Sequence, residues 1–403
     1  LLDHGFKVGI YRDLSALELK KIEDGFFIPS FYSFEEGASP LRLSYIHEMD
    51  LQVRKDREKQ QSLLSYIKMF WNLLKLGMPL SRLIKIIKNR IFFGFKKDYK
   101  HRFHKRKRIE FLIHTSLFVK LLKKHLPDFT ILYENSVDSL SHVYWKDYEE
   151  GSELSDVILE VYARIDKFIG KIKNFADKKD YSLIVLSDHG FMSLEDIEPG
   201  VKHKWLNITN FLEALGLEDD VWGISLVETS VLRVKPGSSM KPETFRDKVE
   251  ALECEGKKVF EIEELQQRLI LRISDSITDE DRDKHVEVEG GRRIALDSFI
   301  NFNFDRTGLH NANHGMFIMC GDNVKRGHEF GIIKPYDVAP TILAHLNVPI
   351  PSEMDGEVKK QIFEQVPELK FYEEQEYVNK RKETLSDDEE EIIKQRLKDL
   401  GYL

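Results

Sequence analysis

Tyr181-Ser182-Leu183-Ile184-Val185-Leu186-Ser187-Asp188-His189-Gly190 is the stretch from which the fold class follows. Leu183 to Leu186 are apolar without a break, the pattern of a strand covered on both faces, as when helices flank a parallel sheet. Upstream, Leu154, Ile158, Val161, Ile165, Phe168 and Ile172 recur at helical spacing and predict a helix with one buried stripe. Before that, Pro127 ends a helix and Phe129-Thr130-Ile131-Leu132-Tyr133 forms a short β-rich run. Strand, helix, strand predicts an α/β layer fold. Open sheets of that class hold their ligands outside the carboxyl ends of the strands, where Asp188 and His189 fall. Gly190 then frees the chain to turn away after presenting both side chains. The plainer alternative is a capped turn in which Asp188 accepts backbone N–H groups.

The 403 residues are 41% apolar and 32% charged, enough for one large domain with insertions or two smaller ones, and this excludes disordered, collagenous and small disulfide-stapled classes. Cys254 and Cys320 form no CxxC pair, which argues against thiolate metal sites. So few cysteines lean slightly towards the cytoplasm, and localisation stays open. No apolar run approaches the roughly 18 residues of a membrane span. Leu1-Leu2-Asp3-His4-Gly5-Phe6-Lys7-Val8-Gly9-Ile10 reads as a helix end, a Gly stop and a strand, so the chain is expected to begin in mid-fold.

Residues 51–125 are rich in Lys, Arg, Leu and Ile and read as a basic helical insertion. Within it, residues 82–108 carry twelve Lys or Arg against one acid, Asp98, interleaved with Ile and Phe. Such a stretch suits an anionic membrane surface or a polyanionic substrate; the alternative is a helix whose charges face water. Residues 221–296 are mixed and acidic and read as a cap, and the chain is expected to end in a charged helix opened by Ser386 and Glu389 in capping-box spacing.

Two further sets carry chemistry. Asp138 and His142, four apart just after the Phe129–Tyr133 run, point the same way on a loop or first helical turn and suit a divalent ion. The loop Thr307-Gly308-Leu309-His310-Asn311-Ala312-Asn313-His314-Gly315 precedes the apolar run Met316–Cys320 and offers another imidazole. His310, in a flexible polar loop after a Gly, is better placed to reach a site and is preferred over His314, which abuts the strand. Tyr144 and Trp145 are expected to form a wall behind the metal.

In this order the motifs resemble the alkaline phosphatase superfamily, in its branch of type I phosphodiesterases and nucleotide pyrophosphatases. At the metal ligands they are also similar to cofactor-independent phosphoglycerate mutases. Asp166-Lys167-Phe168-Ile169-Gly170, Asp337-Val338-Ala339-Pro340-Thr341-Ile342-Leu343, Pro349-Ile350-Pro351, Met354-Asp355-Gly356 and the ending Arg396–Tyr402 look like further segments of that branch. The likeness covers 126–215 and 297–403 well and 1–50 loosely; it leaves out 51–125 and most of 221–296.

The resemblance implies a three-layer α/β/α alkaline phosphatase-like core with a mostly parallel sheet, a helical insertion and a smaller mixed cap. The division it supports is 1–50 as the start of the core, 51–125 insertion, 126–220 metal-binding core, 221–296 cap, 297–370 the rest of the core and 371–403 the charged helix. It implies two divalent ions, zinc first and manganese as the alternative. Asp138, His142 and His310 (or His314) would hold one, Asp188 and His189 the other. The nucleophilic Thr or Ser and one further Asp are expected upstream of Leu1, leaving a fragment of low activity, and Ser15, Ser187 and Thr307 are not assigned that role. The implied activity is hydrolysis of small-molecule, lipid or glycan phosphoesters, with no specific nucleic-acid binding. A phosphotransferase or phosphomutase is the enzymatic alternative, and a non-catalytic membrane- or polyanion-docking protein the other.

Overall fold

In this computed structural model the description covers residues 1–13, 22, 24–30, 38–47, 70–78, 80–81, 83–84, 86, 99–196, 203–225, 229–235, 237–265, 268–288, 290–304, 307–311 and 315–373. Leu2–His4 make one tight turn that Gly5 closes with a left-handed backbone, φ 78°. Strand β1 (Val8–Tyr11) pairs in parallel with β2 (Gly25–Ile28) on one side and β3 (Phe129–Leu132) on the other. Helix α1 (Tyr99–His125) lays Ile113, Leu117, Phe118, Leu121 and Leu122 against Tyr11, Phe26 and Ile28 of these strands. The spacing of three and four residues puts those side chains on one helical face, and Leu43, Ile46, Leu73 and Leu83 complete the cluster.

Helices α2 (Ser136–Glu150) and α3 (Asp156–Lys178) follow β3. The α3 stripe serves two clusters. Val157, Ile158 and Val161 pack with Leu140, Val143 and Tyr144 of α2, while Phe168, Ile172 and Phe175 reach the α1 cluster.

The described end of the basic run directs charge into the chain. Lys100 pairs with Asp147 at 2.9 Å and Lys107 with Glu110 at 3.1 Å, while His104, whose pKa burial lowers, lies 3.4 Å from Glu160. Burial by itself would raise the Glu110 pKa, but the charges of Lys107, Arg106 and Arg12 hold it below the ordinary carboxylate value. Residues 51–69 and 87–98, the remainder of most of that insertion, lie outside the described residues.

Next come β4 (Leu183–Ser187) and β5 (Gly190–Ser193). The chain then enters a β-rich unit through β6 (His203–Leu206), α4 (Ile208–Leu215), β7 (Val221–Ser225), β8 (Thr229–Val234), α5 (Pro242–Glu250), β9 (Glu253–Cys254), β10 (Lys257–Lys258), β11 (Phe260–Leu265), β12 (Arg268–Ile273), β13 (His285–Val288), β14 (Arg292–Ala295) and β15 (Ile300–Phe304). Its centre is the antiparallel sheet β11-β12-β8-β7. Antiparallel β6 and β15 form the stem where the chain enters and leaves. One cluster joins Leu206, Phe211 and Leu217 to Leu232, Phe245 and Leu271 and on to Phe299, Ile300 and Phe302. The apolar packing of this unit therefore begins before residue 221 and continues past residue 296.

Beyond it lie β16 (Gly308–Asn311), β17 (Met316–Cys320), α6 (Pro335–His345), β18 (Ile350–Pro351) and β19 (Phe371–Tyr372). The structure departs from expectation in the pairing and the exposure of β4. Strand β4 pairs antiparallel with β17 rather than sitting in a parallel stack, and among the described residues these two strands pair only with each other. Leu186 and Ile318 accordingly remain 49% and 53% exposed, so the apolar run does not mean two covered faces. At the C-terminus, Phe371–Tyr372 pair in parallel with Ile350–Pro351, and the charged helix expected beyond them, with Ser386 and Glu389, lies outside the described residues. The molecule is a mixed α/β protein, parallel at β2-β1-β3 and largely antiparallel elsewhere among the described residues. No helix among them is long and apolar enough to cross a membrane.

A buried acid organises the β-rich unit. Asp281, fully buried, accepts Lys257 Nζ at 2.9 Å, Lys284 Nζ at 2.8 Å and the Thr278 backbone N–H at 2.8 Å. Hydrogen bonds from Lys284 and Thr278 hold its pKa far below the ordinary carboxylate value, against the effect of burial. Because the folded pKa is depressed, this stabilisation is present above the unfolded carboxylate pKa of about 4 and is lost as pH falls below it. We expect Asp281→Ala to lower stability by about 2 kcal/mol, the scale of hydrogen bonds to a charged group, in denaturant melts at neutral pH. The gap from the unsubstituted protein should narrow as the pH drops below about 4.

Candidate metal centre

Asp138 stands in the first turn of α2, and His142 follows one turn later on the same face. The Asp138 Oδ1 to His142 Nε2 distance is 3.3 Å. The loop expected around His310 is a strand instead: β16 pairs antiparallel with β5, with His310 opposite Phe191 and Asn311 opposite Gly190. Gly190 is thus a paired residue opening β5, not a sharp turn. The pairing carries His310 over α2, where its Nε2 lies 3.0 Å from Asp138 Oδ1 and 3.0 Å from His142 Nε2. His189, between β4 and β5, completes the group; its Nε2 is 3.9 Å from Asp138 Oδ1, and its ring stacks on His310 with centroids 3.7 Å apart.

Close backbone approach makes this geometry attainable. A Cβ on Gly308 would lie 2.5 Å from the Ser141 carbonyl oxygen and 3.1 Å from Trp145 Cβ, so only glycine lets β16 settle on α2. There the Thr307 N–H donates to the His142 carbonyl at 2.7 Å. His142 Nδ1 donates to the Gly308 carbonyl at 2.8 Å, and His189 Nδ1 to the Gly190 carbonyl at 2.9 Å. A carbonyl can only accept, so both rings carry their proton on Nδ1 when neutral and turn the Nε2 lone pair inward.

The inward His142 lone pair and the Asp138 carboxylate therefore both meet His310 Nε2, whose single proton can serve only one of them. The donor set is of a kind that suits a divalent cation. Ligand atoms of Asp138, His142 and His310 all lie within 4.8 Å of one another. Ligands about 2.0–2.1 Å from a tetrahedral zinc stand about 3.3 Å apart, so the observed 3.0–3.3 Å separations need little adjustment. Burial by itself would raise the Asp138 pKa; positive charge and hydrogen bonding from His142 and His310 in their protonated forms override this and hold it well below the ordinary carboxylate value.

Asp188 is the outlying member. Its Oδ1 accepts the His189 backbone N–H at 3.1 Å, as in the capped-turn reading, and lies 3.6 Å from His189 Nε2. Its side chain is also the most exposed of the group, at 41%. His314 lies outside the described residues. Of the expected wall, Trp145 does flank the site, stacking on Phe191 with centroids 5.8 Å apart. Tyr144 faces away, stacked on Phe103 of α1, because consecutive helical positions point about 100° apart. Sequence reasoning did not single out Phe191, whose ring abuts His142, His189 and His310. Its place directly after the Asp188-His189-Gly190 motif was the available signal.

No curated protein and no solved structure matches the chain. A family model does: that of the type I phosphodiesterase / nucleotide pyrophosphatase family, over residues 56–289. The match includes Asp138, His142, Asp188 and His189 and stops short of His310. It also spans most of the basic insertion and the cap, which the resemblance seen in the sequence left out. Matched over more than half of its 403 residues, the chain belongs to the type I phosphodiesterase / nucleotide pyrophosphatase family.

Proposed function

We propose that this protein is a metal-dependent hydrolase of phosphoric esters, acting on a phosphodiester or pyrophosphate linkage with two ions held on an α/β/α layered core. The observation that carries the reading is the meeting of Asp138, His142 and His310 at one point, from residues up to 172 positions apart in sequence. Asp138, His142 and His310 would hold one ion, and Asp188 with His189 the second. A site of N and O donors without thiolate suits zinc, with manganese as the alternative. Bound divalent ions would supply Lewis acidity for an attacking and a leaving oxygen.

The chain's own residues do the positioning. Asp138 holds a fixed negative charge against His142 and His310, and the Gly308 and Gly190 carbonyls fix the two imidazoles that point Nε2 inward. Ser187 Oγ accepts the Met316 N–H at 2.9 Å and Thr307 Oγ1 the Lys146 N–H at 3.2 Å, so both hydroxyls serve local structure. The attacking group is assigned to none of the described residues. The substrate class is a small-molecule, lipid or glycan phosphoester.

The full chain, stripped with chelator and titrated with Zn²⁺ or Mn²⁺, should bind metal in calorimetry and gain turnover of bis(p-nitrophenyl) phosphate. Asp138→Ala and His310→Ala should each reduce metal-dependent turnover by at least about 100-fold, the scale expected for loss of an activating ion. A folded wild-type chain that neither binds these ions nor turns over the ester would refute the proposal. A second prediction concerns Gly308. Gly308→Ala changes no candidate ligand residue but pushes β16, and His310 with it, off α2, and should weaken Zn²⁺ binding by about 10-fold or more in chelator competition.

A further inference from the structure

We infer that Phe191 is a positioning residue for the metal centre, presetting the arrangement of its three imidazoles through an aromatic bracket shared with Trp145. The inference rests on the metal reading above. Phe191 is not an ordinary core phenylalanine: it is half-buried, and among the described residues none of the three apolar clusters includes it. Its ring neighbours are the site itself. His142, His189 and His310 lie edge-to-face with it, at centroid distances of 4.9, 5.5 and 5.4 Å and interplanar angles of 71°, 63° and 85°. Antiparallel register explains how one ring reaches them, because Phe191 stands directly opposite His310 and directly opposed residues share a sheet face.

The bracket is held in turn. Trp145 stacks on Phe191 at an interplanar angle of 26°. The Trp145 indole N–H donates to Glu149 Oε1 at 2.9 Å, and Glu149 Oε2 accepts the Ser193 hydroxyl at 3.0 Å. Ser193 lies on β5 with Phe191, so strand, carboxylate, indole and phenyl ring form a closed loop. An aromatic ring attracts positively polarised edges and cations through its quadrupole. Imidazoles become more positive on binding a divalent ion, so a contact in which an imidazole edge meets the phenyl face strengthens in the loaded state. The ring therefore favours metal binding while making no bond to the metal.

The test compares Phe191→Leu, Phe191→Tyr and Trp145→Phe with the unsubstituted full chain and with His310→Ala. Zn²⁺ affinity is read by chelator competition, the visible absorption of the Co²⁺-loaded protein reports ligand geometry, and Tm in EDTA reports folding. Phe191→Leu should weaken Zn²⁺ about 10- to 100-fold and alter the Co²⁺ spectrum, with Tm in EDTA changed by only a few degrees. Phe191→Tyr, which keeps the ring, should restore most of the affinity. Wild-type affinity and an unchanged spectrum in Phe191→Leu, alongside lost binding in His310→Ala, would overturn the inference and leave the metal reading standing. Unchanged binding in His310→Ala would sink both. If Phe191→Leu does not fold, Trp145→Phe carries the comparison: a several-fold loss supports the bracket, and unchanged affinity overturns it.

Discussion

Asp138 Oδ1 lies within 3.0–3.9 Å of Nε2 atoms from His310, His142 and His189, and the candidate site is built around that one oxygen. A partly buried carboxylate is costly unless positive charge or N–H donors surround it. Neutral imidazoles locked by Nδ1–H bonds to carbonyls compensate it poorly, since they turn lone pairs towards it. Under the proposed function a shared cation would convert these mutually unfavourable acceptors into common ligands. On that reading metal binding and local packing would be one problem in this fold, as is usual where a site is assembled from distant segments.

Three segments must meet for this to happen, and each arrives by a different backbone device. The α2 helix sets Asp138 and His142 one turn apart. The break between β4 and β5 presents Asp188 and His189. The β5–β16 pairing, seated on α2 through Gly308, delivers His310. Phe191 sits where these elements converge, and the loop of Trp145, Glu149 and Ser193 ties it to both α2 and β5. The β-rich unit between β6 and β15 has its own core and its own buried anion, Asp281, and lies between two site-forming segments; among its described residues none joins the group of candidate ligands.

Much of this was legible along the chain. Phe129–Tyr133, the α3 stripe and Leu183–Leu186 announced strand, helix and strand, because periodicity is a local property. Asp138 and His142 declared their common face through a spacing of four, and Asp188 and His189 their place through the apolar run before them. Register was less accessible. The Thr307–Gly315 stretch has the polar, glycine-containing composition of a loop, and only hydrogen bonding to β5 makes Gly308–Asn311 a strand. The exposure of Leu186 and Ile318 was likewise hidden, since an apolar run records a preference for burial and not whether a neighbour covers it.

Sequence alone determined the chemical make-up of the site: oxygen and imidazole donors, no thiolate, placed after strands of an α/β chain. Those are properties of residue type and spacing within a few positions. Tertiary structure decided which donors share a point, which ring nitrogen each histidine presents, and that Phe191 rather than Tyr144 borders the imidazoles with Trp145. Such facts depend on strand register and on close approaches between segments more than a hundred residues apart, and no local pattern encodes them.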